Sequence, residues 1–361
     1  MRRDEIPTPS LVLDLAALRQ NVAVMSQFAK ARAIGLRPHA KSHKCVEIER
    51  MLSDAGALGA CCATIGEAEA LAAGGLRGLL ITSPMSTPHM LDRLRKLLLR
   101  RADVMVVADN AANVQELASL SRALGCVLRV VVELDVGVGR TGCADVTDAI
   151  SLAKAIAAET SLSFTGVQAY WGNLQQVMPF AERGRRVVQQ AEKLRRLIGA
   201  LVDAGLRPSI VTGGGTGTHW LDAELDLFTE LQSGSFVFLD SLYGPLPLTP
   251  NGNPFAPSLF VAASVISTNQ KGSVVVNAGL KALATDSGKA VPMRGAEQGA
   301  AYRFLGDEHG AIDIQHTAPR LGSIIELLTP HCDPTVNLHN RYIVVENDEV
   351  VDDWPILARG Y

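Results

Sequence analysis

A (β/α)8 barrel followed by a second, mostly β unit is the fold this sequence predicts, and three observations predict it. Through the first two-thirds of the chain, short apolar or β-branched runs alternate eight times with amphipathic Ala- and Leu-rich stretches, the pattern of parallel strands joined by right-handed crossovers. Eight is the number that closes a barrel. After about Pro250 the texture changes to strand-like runs punctuated by Gly, Pro, Asn and Asp, with no long helical period. Finally, unusual polar residues fall at the C-terminal ends of the expected strands, where barrels collect function. A doubly wound open sheet is the alternative, and it needs a topological switch point that the pattern does not show.

Taken in order, 8–13 reads as a strand after a proline turn, and Asp14 caps a helix over 15–31. Barrel strands are expected at 34–40, 58–64, 78–82, 104–109, 127–134, 164–170, 209–212 and 230–239. Helices are expected at 45–55, 66–73, 87–99, 112–124, 146–158, 179–204 and 222–227. Beyond the turn cluster at Asn251-Gly252-Asn253-Pro254, strands are expected at 259–266, 272–277, 324–328, 342–346 and 349–351. The barrel then spans 15–250, and a β unit is made of 1–14 with 251–361.

The 361 residues, 47% hydrophobic and 20% charged, suit a soluble globular protein with a sizeable core. A net charge of -3 offers no basic field to nucleic acid. Six cysteines without paired spacing suit reduced, mostly buried thiols, and Cys61-Cys62 reads as strand packing. The N-terminus has no apolar secretory core and no stretch approaches 18 apolar residues, so a cytoplasmic protein without a membrane contact is expected.

The polar residues carry the chemistry. Arg37-Pro38-His39-Ala40-Lys41-Ser42-His43-Lys44 ends the first barrel strand; alone it suits a basic surface loop, yet a desolvated lysine beside other cations is a Schiff-base nucleophile. Glu133, Asp135 and Arg140 follow the fifth strand in a glycine-punctuated loop, and Gln168, Tyr170, Trp171 and Asn173 follow the sixth. The seventh runs into Thr212-Gly-Gly-Gly-Thr-Gly-Thr218 and the eighth carries Glu230-Leu-Gln-Ser-Gly-Ser235. A glycine run lets backbone N–H groups converge on an anion, and the loops after strands seven and eight are where barrels hold phosphate. The spacing matches neither a Walker A loop nor a dinucleotide fingerprint. A phosphate grip with a reactive lysine points to pyridoxal phosphate. In Pro330-His331-Cys332-Asp333-Pro334-Thr335, an extended backbone would put His331 and Asp333 on one face, where they can bind Mn²⁺, Mg²⁺ or Zn²⁺. Such lone pairs are common and on spacing alone favour no metal.

With these motifs together, the chain resembles, end to end, the D-threonine aldolase and D-serine dehydratase family, whose barrel is of the alanine-racemase type. The resemblance implies that Lys41 carries pyridoxal phosphate, with His39, His43 and Lys44 around it. It implies that Arg140 faces the phenolic oxygen, Gln232 the ring nitrogen and Tyr170 the ring side. Gly215, Thr216, Gly217, Gly234 and Ser235 would hold the phosphate, and His331 and Asp333 a divalent metal. A neutral Gln232 would not enforce full pyridinium character. A homodimer is implied as well. Dehydratase members tend to carry a cysteine as the second metal ligand, so Asp333 favours retro-aldol cleavage of a D-β-hydroxy-α-amino acid, of D-threonine or D-3-hydroxyaspartate type, to glycine and an aldehyde or oxoacid. Two departures from the aldolase pattern, Trp171 and Gln175-Gln176, sit where substrate is expected.

Three rivals remain: β-elimination at the same site, a non-catalytic pyridoxal-phosphate homeostasis protein, and a phosphosugar barrel enzyme. His309, His316 and His339 read as satisfied loop histidines, and Lys281 and Asp286 as either site-bordering or a surface pair.

Overall fold

In the computed structural model, which describes residues 1–360, eight parallel strands form one sheet: β2 (Gly35–Leu36), β3 (Cys61–Cys62), β4 (Leu79–Ile81), β5 (Val104–Ala108), β6 (Leu128–Leu134), β7 (Leu162–Ala169), β8 (Ile210–Gly213) and β9 (Glu230–Leu231). Their order runs β3 to β9 in sequence and then to β2. A parallel bridge between His39 and Cys61 joins the two ends, closing the (β/α)8 barrel. Tyr361, the last residue of the expected β unit, lies outside the described residues.

Local chemistry starts and stops the helices. Asp14, Thr64, Thr87, Asn110 and Asp145 each accept a backbone N–H from the first turn of their helix, satisfying donors that a helix start leaves free. The strands alternate by two: Leu79, Ile81, Val106 and Ala108 face the helices. Leu80, Met105, Val107 and Val131 form a separate, smaller cluster, the filling of the barrel.

The remaining strands make a mixed sheet of β13 (Ala301–Phe304), β14 (Gly310–Asp313), β11 (Ser273–Val276), β10 (Leu259–Ser267), β1 (Ser10–Asp14), β16 (Arg341–Glu346) and β17 (Glu349–Pro355), in that order. Strand β15 (Ile324–Leu328) pairs β10 and carries β12 (Val291–Arg294). Strand β1 runs antiparallel to β10 and parallel to β16, so the chain begins in the second sheet, enters the barrel and returns.

Several elements differ from expectation. The first barrel strand pairs only over Gly35–Leu36, because Pro38 brings no N–H to a ladder. The eighth ends at Leu231, and the chain turns through Gly234 into a short 3-10 helix, Ser235–Val237. His331–Asp333 is not an extended run: His331 is extended, but Cys332–Leu338 is a helix whose first turn holds Asp333. The helix starts there because the Asp240 carboxylate accepts from Cys332 N at 2.8 Å and Pro334 suits a first turn. Strands β12, β13 and β14 were not expected; each has four residues, too few to show a period.

Candidate active site

The octapeptide is where the two sheets are clasped, and each basic residue finds its own partner. Arg37, almost fully buried, donates to both oxygens of Glu230 at 2.8 and 2.9 Å, tying β2 to β9. His43 Nε2 lies 3.4 Å from Glu49 within the core. Lys44 donates to Asn337 Oδ1 at 3.0 Å and pairs with Glu67 at 3.7 Å. Tyr342 of β16 donates its hydroxyl to His43 O at 2.5 Å. His43 and Lys44 therefore join barrel to β sheet. His39 and Lys41 instead face a cavity of about 430 Å3 at the C-terminal ends of the barrel strands.

Lys41 Nζ donates to Asp333 Oδ2 within that cavity. The Asp333 charge raises the Lys41 ammonium above its ordinary range, against the pull of burial. Burial alone would push the Asp333 carboxyl up, but the Lys41 charge outweighs it and holds the group at about 2. His331 Nδ1 lies 2.6 Å from Asp286 Oδ2, and this pairing leaves Nε2 as the nitrogen with a lone pair to give. Asp286 thus borders the site, whereas Lys281 pairs with Glu308 on the surface. Burial, and then the Lys41 charge, lowers His39 to about 3, so it is a neutral imidazole with Nε2 at 3.2 Å from Thr82 Oγ1.

Arg140 arrives on the loop after β6. Asp135 Oδ1 accepts from the N–H groups of Gly137, Val138 and Gly139 at 3.0, 2.9 and 3.1 Å. Gly137, Gly139 and Gly142 hold left-handed φ values of 116°, 69° and 101°, which glycine adopts without a steric penalty. The loop carries the Arg140 guanidinium to 5.7 Å from the Tyr170 ring centre. Burial raises both the Tyr170 and Tyr243 phenols, so both cavity hydroxyls stay protonated.

Gly214, Gly215, Thr216, Gly234 and Ser235 also line the cavity. Gly217 does not; its N–H is spent on Gln175 Oε1 at 2.9 Å. The N–H groups of Thr216, Gly234 and Ser235 have no acceptor among the described residues, and a Cβ at Gly234 would meet His39 O at 2.8 Å. Converging free N–H groups in a cavity wall make an anion cradle.

Behind the cradle sits Asp222, wholly buried. Its carboxylate accepts from Trp171 Nε1 at 2.8 Å, Thr218 Oγ1 at 2.6 Å and Gly215 N at 3.3 Å. Burial pushes the Asp222 carboxyl up to about 7, against those three donors. Trp171 is therefore not at the substrate: its indole is fully buried, edge-on to Phe228 at 5.3 Å, and does not line the cavity. Of the two departures from the aldolase pattern, only the glutamine pair reaches it, Gln175 from behind the cradle and Gln176 at the exposed mouth. Tyr243 and Asp222 had no sequence signal, since neither lies in a motif or at an expected strand end.

His339 is a satisfied loop histidine, with Nε2 2.9 Å from Ala282 O, and Cys61 and Cys62 are buried and free. No helix among the described residues is long and apolar enough to cross a membrane.

Barrel, clasp and cavity together define an enzyme of the alanine-racemase-like class. The family model described as "Alanine racemase, N-terminal domain" matches residues 13–242, and that described as "Putative serine dehydratase domain" matches residues 258–345. The chain is 35% identical to the 3-hydroxy-D-aspartate aldolase of Paracoccus denitrificans (strain Pd 1222), covering 100% of this chain and 94% of that one. It is 37% identical to the D-threonine aldolase of Arthrobacter sp, covering 99% and 93%. The crystal structure of D-threonine aldolase from Filomicrobium marinum superposes with a TM-score of 0.94 at 35% identity, covering 98% and 96%. The chain belongs to this family of aldolase-type lyases.

Proposed function

We propose that the chain is a pyridoxal-phosphate- and divalent-metal-dependent lyase that cleaves Cα–Cβ of a D-β-hydroxy-α-amino acid, giving glycine and an aldehyde or oxoacid. The observation that carries the reading is a single cavity lined by the Lys41 amine, the His331–Asp333 pair and a set of N–H donors without a protein acceptor among the described residues.

The residues present fit both groups. Thr216, Gly234 and Ser235, with Gly215 behind them, suit a phosphate; Gly217 supports the loop from outside the cavity. Lys41 would carry the cofactor, Arg140 would stand by its phenolic oxygen, Tyr170 beside the ring and Gln232 at its nitrogen. His331 Nε2 and Asp333 suit a cation that keeps positions for water and substrate, with Mn²⁺, Mg²⁺ and Zn²⁺ as candidates. Once bound, the cofactor supplies an electron sink and the metal the charge that acidifies a β-hydroxyl.

The chain's own residues do the rest. Lys41 and Asp333 neutralise one another while Lys41 is a free ammonium. Were the Lys41 amine engaged elsewhere, Asp333 would lose this partner and keep a carboxylate beside His331. His39, held neutral, adds no competing charge, and the Tyr170 and Tyr243 hydroxyls stay protonated and can donate.

Purified protein loaded with pyridoxal phosphate should show the visible band of a lysine-bound cofactor, and Lys41→Ala should lose both band and turnover. Absence of the band, or an active alanine variant, would discard the cofactor role; full activity after chelation would discard the metal's. β-Elimination is the second reading, prompted by the dehydratase description of the C-terminal match. Release of glycine without ammonia from D-threonine decides for cleavage, and ammonia with a 2-oxoacid decides for elimination. A non-catalytic carrier is set aside, since the relatives aligned end to end are enzymes. We read the enzyme as a cytoplasmic homodimer, and a monomeric mass in solution would remove the second part.

A further inference from the structure

Four polar groups beneath the cavity form a relay whose direction has one solution. It starts at the backbone carbonyl of Thr82, which can only accept. Gln168 lies 3.1 Å from it through Nε2, so the amide of Gln168 cannot be turned round. Its Oε1 is then the end that faces Gln232, and it receives Gln232 Nε2 at 3.0 Å. The second hydrogen of Gln232 Nε2 goes to Thr212 Oγ1 at 3.0 Å. Both donors of the Gln232 amide are spent, and its main-chain N–H is spent too, on Gly213 O at 2.7 Å. The only polar atom of the side chain left for the cavity, which Gln168 and Gln232 both line, is Oε1, an acceptor.

We infer that Gln232 acts on the bound group solely as a hydrogen-bond acceptor, and that Gln168, anchored on Thr82 O, is the positioning residue that holds it so. The inference rests on the reading of the site as a pyridoxal phosphate site with Gln232 at the ring nitrogen. A neutral pyridine nitrogen would bring its lone pair against the lone pairs of Oε1, whereas a protonated one brings an N–H to it. The uncharged amide therefore does select a protonation state, through its direction. A protonated ring is the better electron acceptor, which suits a reaction that leaves an electron pair on Cα.

The test uses the full-length holoenzyme loaded with pyridoxal phosphate labelled with ¹⁵N in the ring, read by ¹⁵N NMR at neutral pH. The expected result is a signal in the pyridinium range, kept in Gln232→Glu, whose carboxylate is also an acceptor. It should move toward the neutral pyridine range in Gln232→Leu and in Gln168→Leu, where the Gln232 amide is free to turn, while the visible band shows the cofactor still attached. A neutral ring in the unmutated enzyme, or an unmoved signal in both leucine variants, overturns the inference and leaves the cofactor assignment standing. Failure to take up pyridoxal phosphate at all would sink both. If Gln168→Leu does not fold, Gln232→Leu alone decides.

Discussion

Replacing Trp171 by Phe separates a residue that supports the cradle from one that meets substrate. The indole N–H gives Asp222 one of its three hydrogen bonds, at 2.8 Å in a fully buried setting. Phe keeps the ring against Phe228 and removes only that donor, leaving Asp222 Oδ1 without a partner. A buried hydrogen bond to a charged group contributes about 1.5–3 kcal/mol. At the low end of the ~2–4 °C per kcal/mol that large domains show, Tm should fall by roughly 3–6 °C. Asp222 also fixes Gly215 and Thr218, so part of the cost falls on the cradle: about 1.4 kcal/mol spent there weakens pyridoxal phosphate binding about tenfold. Thermal unfolding of the apo-protein and titration with pyridoxal phosphate measure the two effects. The KM for the amino acid in cofactor-saturated enzyme should stay where it was. A changed KM with unchanged Tm and unchanged cofactor affinity would refute the placement of Trp171 behind the cradle.

The same carboxylate predicts a pH dependence. Folded Asp222 titrates near 7 and its ordinary value is 3.8, so the folded state holds a proton that the unfolded chain releases between those values; stability from this group is complete below 3.8, falls as pH rises toward 7 and is level above it. Denaturant unfolding at pH 5 and pH 8 should show that loss in the unmutated protein and little of it in Asp222→Asn. Arg37→Met should destabilise by ~3–5 kcal/mol, because it strands the buried Glu230 carboxylate, and adding Glu230→Leu should recover most of the loss in the same unfolding assay. Lys41 and Arg140 are the only lysine or arginine side chains lining the cavity among the described residues, and both are engaged in the proposed site. A neutral β-substituent should therefore be favoured, with kcat/KM for D-threonine above that for D-3-hydroxyaspartate; the reverse order would show that a distal carboxylate finds a cation elsewhere.

What the sequence made legible follows from where each kind of information is written. The barrel's rhythm lies in local periodicity, so helices such as Val146–Ala158 and strands such as Ile324–Leu328 have the expected bounds. Where tertiary partners decide, local pattern fails: His331–Asp333 reads as extended until Asp240, some ninety residues earlier in the chain, caps Cys332. Lys41, Arg140, Thr216 and Gln232 all reach one cavity because strand ends converge in a barrel, and His331 meets them there from the start of the Cys332–Leu338 helix. Gly217 and Trp171 stand in the same motifs and do not, because a motif gives spacing along the chain and not the side from which a residue approaches. Asp222 was beyond reach for the same reason. A buried acid betrays itself by the donors around it, and Trp171, Thr218 and Gly215 become its donors only when two strand ends meet. The Arg37–Lys44 stretch shows the limit most sharply: four of its basic residues look alike as a charge run, and the fold divides them, giving Arg37 to the carboxylate that ties β2 to β9, Lys44 to Glu67 in the barrel and Asn337 beyond it, and His39 and Lys41 to the cavity.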